Sequence, residues 1–150
     1  MTEILFDQEQ FETATRRNLE ELSNLVAEYD QQAQESELAE FSKYDPLQSI
    51  IRAIAAKFRV EEGLKPEESL QQADQIVRNA EEKVKNPSAK QKICAALKSF
   101  SGDSLALLPI LLELVKSGAI AITFDPTGTF LVSAACLIVV KLGVEGFCAE

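Results

Sequence analysis

The chain has 150 residues and a formal net charge of −9, and it contains no histidine and no tryptophan. Its 46% hydrophobic and 26% charged residues are typical of a folded globular domain. Histidine is the commonest general base and transition-metal ligand, so its absence disfavours an enzyme. We therefore predict a non-enzymatic protein with no catalytic, metal-binding or cofactor-binding residues. The negative charge also disfavours nucleic-acid binding, because it repels a phosphate backbone.

The negative charge is concentrated at the N-terminal end. Residues 1–45 hold 12 acidic and 3 basic side chains, whereas residues 46–150 hold 12 of each. We predict an acidic N-terminal helix with its linker over residues 1–45. Residues 46–150 are predicted to form a helical body, and both parts together make one compact domain.

The first helix has a clear start signal and a narrow apolar seam. Asp7 and Gln10 have the spacing of a capping box, and Phe6 and Phe11 have that of a hydrophobic staple. The pattern predicts a helix of about 28 residues. Its seam alternates three- and four-residue spacings and runs through Leu19, Leu22, Val26, Tyr29 and Ala33, with Leu25 beside it.

A narrow seam on a charged helix is typical of helices that pack into the groove of another helical protein. We predict that Leu19, Leu22, Val26 and Tyr29 form the partner-binding site. The partner would be another protein or a second copy of the chain.

Proline and glycine punctuate the middle of the chain into further helices. Asp45-Pro46 and Asn86-Pro87 each place a capping residue before a proline, Pro66 opens another segment, and Gly63 is a candidate C-cap. Between these signals the apolar residues recur at helical spacing. We predict one helix from Pro46 to Gly63, one after Pro66 and one after Pro87.

The C-terminal stretch 104–148 is the most apolar part of the chain. Residues 130–140 carry no charge, and such a helix is either the centre of a bundle or in contact with lipid. A membrane span needs about 20 apolar residues, and Pro109, Glu113 and Lys116 interrupt the preceding segment. We favour a buried core helix, and insertion of a 104–148 helical hairpin into a membrane is the less favoured alternative.

Two conformations compete over residues 119–133. The β-branched run 119–124 followed by a turn at 125–128 is compatible with a β-hairpin. Asp125-Pro126, however, repeats the helix-start signal of Asp45-Pro46. We favour a last helix from Pro126 to about Glu145.

The three cysteines, Cys94, Cys136 and Cys148, are odd in number and widely separated. We predict reduced thiols rather than disulfides, and hence a cytoplasmic protein. Consistent with this expectation, the N-terminus carries acidic residues where a secretory signal carries basic ones.

A basic run follows the middle helices and consists of Arg78, Lys83, Lys85, Lys90, Lys92 and Lys98. Its simplest interpretation is a solvated surface. The alternative is that it receives an acidic helix, either the chain's own N-terminal helix or that of a neighbour.

These patterns predict an all-α protein, a five- to six-helix bundle with a long acidic N-terminal helix and a central, almost wholly apolar C-terminal helix. The favoured function is an adaptor-type, regulatory protein-interaction module that acts through its helix seam. One alternative is a membrane-active effector, and another is an acidic, immunity-type inhibitor that masks a basic site on its target.

Overall fold

The computed structural model describes residues 6–36, 47–98 and 104–148, and within these ranges all regular secondary structure is α-helical. The prediction of an all-α protein is therefore confirmed. The predicted linker up to residue 45 and the Asp45-Pro46 signal lie largely outside the described residues. The helices are α1 (Gln8–Ser36), α2 (Gln48–Glu62), α3 (Pro66–Val84), α4 (Pro87–Leu97), α5 (Ser104–Ser117) and α6 (Pro126–Cys148).

Local capping explains where several helices begin and end. At the start of α1 the backbone N–H of Gln10 donates to Asp7 Oδ1 over 2.8 Å, and the N–H of Asp7 donates to Gln10 Oε1 over 3.0 Å. This reciprocal pair is the predicted capping box. Gly63 ends α2 in the left-handed region at φ 67°, and its N–H donates to the carbonyl of Arg59.

The segment before α6 is an irregular connection and not a strand, so the β-hairpin alternative for residues 119–133 is wrong. The Asp125 carboxylate accepts from the N–H of Gly128 over 2.7 Å and caps α6. Phe124 stacks on Phe11 with ring centroids 4.5 Å apart, and its carbonyl accepts from the N–H of Phe6. The segment therefore packs against the start of α1 and has no pairing strand.

Helix α6 lies at the centre of the molecule. It contacts each of the five other helices in the described part of the chain. Every residue from Val132 to Val139 is buried, because neighbouring helices cover all sides of the helix. An almost wholly apolar sequence is what such a position requires.

A disulfide bond joins Cys94 of α4 to Cys148 at the end of α6, with the two Cα atoms 5.9 Å apart. The prediction of reduced thiols was therefore wrong for these two cysteines. The reason is tertiary: α6 loses its helical geometry at Gly143 (φ 72°, ψ −179°), and beyond this kink Phe147 is buried and Cys148 meets α4. Only glycine adopts this backbone conformation readily.

The third cysteine, Cys136, is free and fully buried in α6, and burial raises the pKa of its thiol. The prediction of a reduced thiol is therefore confirmed for Cys136, which packs as a small buried side chain of the core. Disulfides are typical of oxidising compartments. Reduced cysteines therefore no longer support a cytoplasmic location, which stays a prediction.

Candidate functional site

The four residues of the predicted partner site lie together on one face of α1, and that face points into the molecule. Leu19, Leu22 and Val26 are buried, and Tyr29 is half-buried against the core. Helix α1 packs on α2, α5 and α6. We call the surface that these three helices offer to α1 the α1 groove.

This placement changes the interpretation of the seam. Contact with a partner requires accessible side chains, and in the folded chain the body covers three of the four. The chain's own α1 occupies the groove because both belong to one chain, which gives α1 an effective concentration in the ~mM range at the groove. Binding of a partner by Leu19, Leu22, Val26 and Tyr29 therefore requires that α1 leave its groove.

Neutral hydrogen bonds join α1 to α5 and α6 at three points. The amide of Asn18 donates to Thr129 Oγ1 over 2.8 Å, and the hydroxyl of Ser133 donates to the carbonyl of Thr15 over 3.3 Å. A third bond of 2.8 Å connects the hydroxyls of Ser23 and Ser104, and either hydroxyl can be its donor. Each bond reaches a specific atom on a neighbouring helix, so together they fix the axial register of α1.

Ion pairs form a second set of contacts along the same helix. The ammonium of Lys57, whose side chain is only 8% exposed, contacts Glu21 of α1 and lies 3.1 Å from the carboxylate of Glu61. Both carboxylates are about half exposed, so water solvates them while the lysine stem packs in the groove. Near the α1 N-terminus, Lys116 of α5 lies 3.5 Å from Glu12.

A third charged cluster lies towards the C-terminal end of α1. Asp30 contacts both the ammonium of Lys141 on α6 and the hydroxyl of Ser49 on α2. The Lys141 ammonium is also 3.4 Å from the Ser49 hydroxyl. One α1 carboxylate therefore joins two walls of the groove, and its charge is compensated where solvent access is reduced.

These hydrogen bonds and ion pairs between α1 and its groove were not predicted from the sequence. Ser133 is the only hydroxyl in the apolar run 130–140, and that isolation was a usable signal. Lys57 was another signal, because it stands three residues after Ile54 and seven after Ile50, both on the apolar stripe of α2. The pairing of Asn18 with Thr129 had no signal, since the two residues are 111 positions apart.

The α1 groove has the features of a packing surface between helices. In the described residues every buried side-chain nitrogen and oxygen has a hydrogen-bond partner, and the thiol of Cys136 is buried and protonated because burial raises its pKa. Within the described residues, no group of three or more acidic or cysteine side chains is arranged to hold a metal ion. The arrangement can recognise a helix by apolar anchors together with positioned polar groups.

The basic run on α3 and α4 does not receive the chain's own acidic helix, because in the described residues α1 contacts neither α3 nor α4. The version of the alternative with the chain's own helix is therefore wrong, because α6 lies between α1 and these two helices as the central helix. Binding of a neighbour's acidic helix stays a prediction. Arg78 and Lys85 pair instead with acids of α3 itself. Lys90 lies 6.0 Å above the ring of Phe147, and Lys92 is exposed.

Comparison of the chain with protein-family models, with curated proteins and with solved structures finds no match in any of the three. The function of the molecule is therefore inferred from its own geometry.

Proposed function

We propose that the chain is a non-enzymatic, adaptor-type protein-interaction module whose binding site is the α1 groove. In this proposal the acidic α1 is the outer helix of a bundle built around α6, and a helix of the partner takes its place. The single observation that carries the proposal is the packing of the α1 seam. Its anchors at positions 19, 22 and 26 are inserted among α2, α5 and α6 as a ligand helix is inserted in a receptor groove.

Two properties of α1 support its exchange for another helix. Its outward residues are polar and include the exposed Arg16, Arg17, Glu20 and Glu28, so this face needs no cover in the closed state. Its contacts with the groove include several hydrogen bonds and ion pairs. Water replaces these when α1 leaves, so each contributes only about 1 kcal/mol to closure.

The test uses the full chain with Leu22→Glu and a synthetic peptide of residues 6–36. Leu22 is fully buried, so a carboxylate there prevents the chain's own α1 from seating. The variant should bind the wild-type peptide and regain thermal stability on binding. The unmodified chain should bind the same peptide at least 100-fold more weakly, because its own α1 competes from the same molecule.

The matched control is the same peptide carrying Leu22→Glu, which should bind neither chain. If the Leu22→Glu chain does not fold alone, the milder Leu22→Ala chain replaces it, and the same difference between the two peptides is expected. Equal binding of both peptides excludes the α1 groove as a helix receptor. So does the absence of binding at about 0.1 mM peptide.

A membrane-active effector is the second candidate, and one observation favours it. The Pro126–Gly143 window of α6 has a mean hydropathy of 1.6 over 18 residues, which is long and apolar enough for a membrane span by length and composition. In the folded chain 61% of this window is buried, so insertion would first require the bundle to open. Dye release from anionic vesicles supports this candidate, whereas a protein-interaction module releases no dye.

A further inference from the structure

The disulfide bond between α4 and the end of α6 joins two partly exposed residues. Cys94 and Cys148 each keep part of their surface open to solvent, whereas the free Cys136 is fully buried. Thiol–disulfide exchange requires that a thiolate reach one of the two sulfur atoms, and exposed disulfides are the ones that reductants open most readily. The position of the Cys94–Cys148 bond therefore favours exchange with an external thiol.

Lysines flank Cys94 on α4. Lys90 precedes Cys94 by four residues and Lys98 follows it by four, so all three lie on one side of the helix. The Lys90 ammonium also lies 6.0 Å from the ring of Phe147, the residue before Cys148. Helix α4 itself contains no acidic residue. Cations beside a cysteine stabilise its thiolate and make it a better leaving group.

The last turn of α6 is separated from the rest of the helix. Gly143 interrupts α6 at φ 72° and ψ −179°, and residues 144–148 form the turn beyond it. A single turn has little stability of its own, because helix nucleation is unfavourable. The buried side chain of Phe147 and the disulfide bond attach this turn to the body, whereas Glu145 and Gly146 are exposed. Without the bond, burial of one aromatic side chain opposes the conformational entropy of five residues.

We propose that the Cys94–Cys148 bond is an exchange site for a dithiol reductant, and that its reduction releases the last turn of α6. A thiolate of the reductant attacks Sγ of Cys148, the S–S bond breaks, and the electron pair moves to Sγ of Cys94 beside Lys90. The second thiol of the reductant then attacks the reductant sulfur of the mixed disulfide and frees Cys148. The protein gains two electrons and two protons, and the dithiol becomes a disulfide.

Release of the turn exposes the Phe147 side chain and the part of the core that it covers. The oxidised chain is therefore the closed state, and the open state dominates where dithiols keep cysteines reduced. Helix α6 stays in place before Gly143, because residues 132–139 are buried by the other helices. The device uses no part of the α1 groove. It goes beyond the proposed function, and either proposal can fail without the other.

The first experiment counts the thiols that a dithiol opens in the folded chain. The chain is treated with excess dithiothreitol without denaturant, alkylated and analysed by mass spectrometry. We expect alkylation of Cys94 and Cys148, while the buried Cys136 stays unmodified and serves as the internal control. Modification of Cys136 at the same rate would show that the bond opens only when the whole fold opens. That result overturns the proposal, and so does an absence of reduction.

The second experiment locates the opening by chymotrypsin cleavage after Phe147, followed by mass. Cleavage there should be at least about tenfold faster in the reduced chain than in the oxidised chain, because a protease cuts the opened segment. Cleavage after Phe130, which is buried near the start of α6, should stay slow in both. The chain with Cys94→Ser and Cys148→Ser should behave like the reduced chain without reductant. Equal cleavage after Phe147 in the oxidised and reduced chains overturns the proposal.

The third experiment tests the role of Lys90. Lys90→Gln should slow reduction by dithiothreitol about threefold, because the Cys94 thiolate loses a cation on its own side of the helix. Lys90→Arg keeps the charge and should keep the rate. The matched control Lys92→Gln removes the same charge at an exposed position about 200° around the helix from Cys94, and should also keep the rate. Equal rates in Lys90→Gln and Lys92→Gln would overturn the assignment of Cys94 as the leaving group.

Discussion

Helices α1 and α6 are the two longest in the described chain, with 29 and 23 residues, and they use their length in opposite ways. Helix α1 buries one seam and turns a polar face to water, whereas α6 is buried on every side from Val132 to Val139. A helix that is covered on all sides contacts more of the other helices, so the rest of the fold depends on it more strongly. Removing α6 would expose every other helix, and removing α1 would expose one groove.

A charge in α6 is expected to have the largest effect. Ile138→Asp places an unpaired carboxylate in the buried centre, which costs more than about 5 kcal/mol and leaves the chain without a cooperative fold. Circular dichroism should show no thermal unfolding transition for the Ile138→Asp chain. The control Val60→Asp makes a comparable change at an exposed site and should unfold like the unmodified chain. A cooperative transition in Ile138→Asp would contradict the central position of α6.

Removal of the disulfide tests how the end of α6 is held. Cys94→Ser with Cys148→Ser should lower the free energy of unfolding by about 4 kcal/mol, since the bond joins residues 54 positions apart. Denaturant titration without reductant measures the loss. Adding a dithiol should destabilise the unmodified chain and leave this variant unchanged. Equal sensitivity of both proteins would show that the bond contributes nothing.

The α1 seam should respond less strongly than the α6 centre. Leu22→Ala is expected to cost about 3 kcal/mol, because it leaves a cavity under a buried anchor. Hydrogen exchange should show the largest loss of protection in α1, with α2 to α6 more protected. Leu25→Ala, at a half-buried position beside the seam, should cost less. Uniform loss of protection across all helices would mean that α1 and α6 are one cooperative unit.

The thiol of Cys136 gives the α6 environment a signature in pH. Burial raises its pKa in the folded chain, so above about pH 8.5 the unfolded chain releases a proton that the folded chain keeps. Stability from this group is therefore fully present below pH 8.5 and falls by about 1.4 kcal/mol per pH unit above it. We therefore expect the unfolding free energy of the unmodified chain to fall relative to that of Cys136→Ala by about 1.4 kcal/mol per pH unit above about pH 8.5. Denaturant titrations of both proteins from pH 7 to 10 measure this difference. Parallel curves would show that the thiol ionises equally in both states.

The polar contacts of α1 should have the smallest effects. Asn18→Ala removes the donor to Thr129 and should cost about 1 kcal/mol. Asn24, which is exposed on the same helix, provides the control, and Asn24→Ala should change stability by less than about 0.5 kcal/mol. Chemical denaturation of both variants measures the difference. Equal effects would show that the Asn18 bond does not hold the register of α1.

By itself the sequence determined where several helices begin or end and which apolar face most of them bury. The Asp7 capping box, the left-handed Gly63 and the Asp125 cap act over three or four residues, so their outcome does not depend on distant parts of the chain. The charge-free run at 130–140 likewise indicated a buried helix before its neighbours were known.

Only the tertiary structure decided what those surfaces meet. The seam at Leu19 and Leu22 had the pattern of a partner site, and a pattern is the same whether the partner lies on the same chain or on another. The Cys94–Cys148 bond and the Asn18–Thr129 contact join residues 54 and 111 positions apart. Such pairings depend on how helices cross and on the kink at Gly143, because it is the path of the backbone in space that brings distant residues within bonding distance.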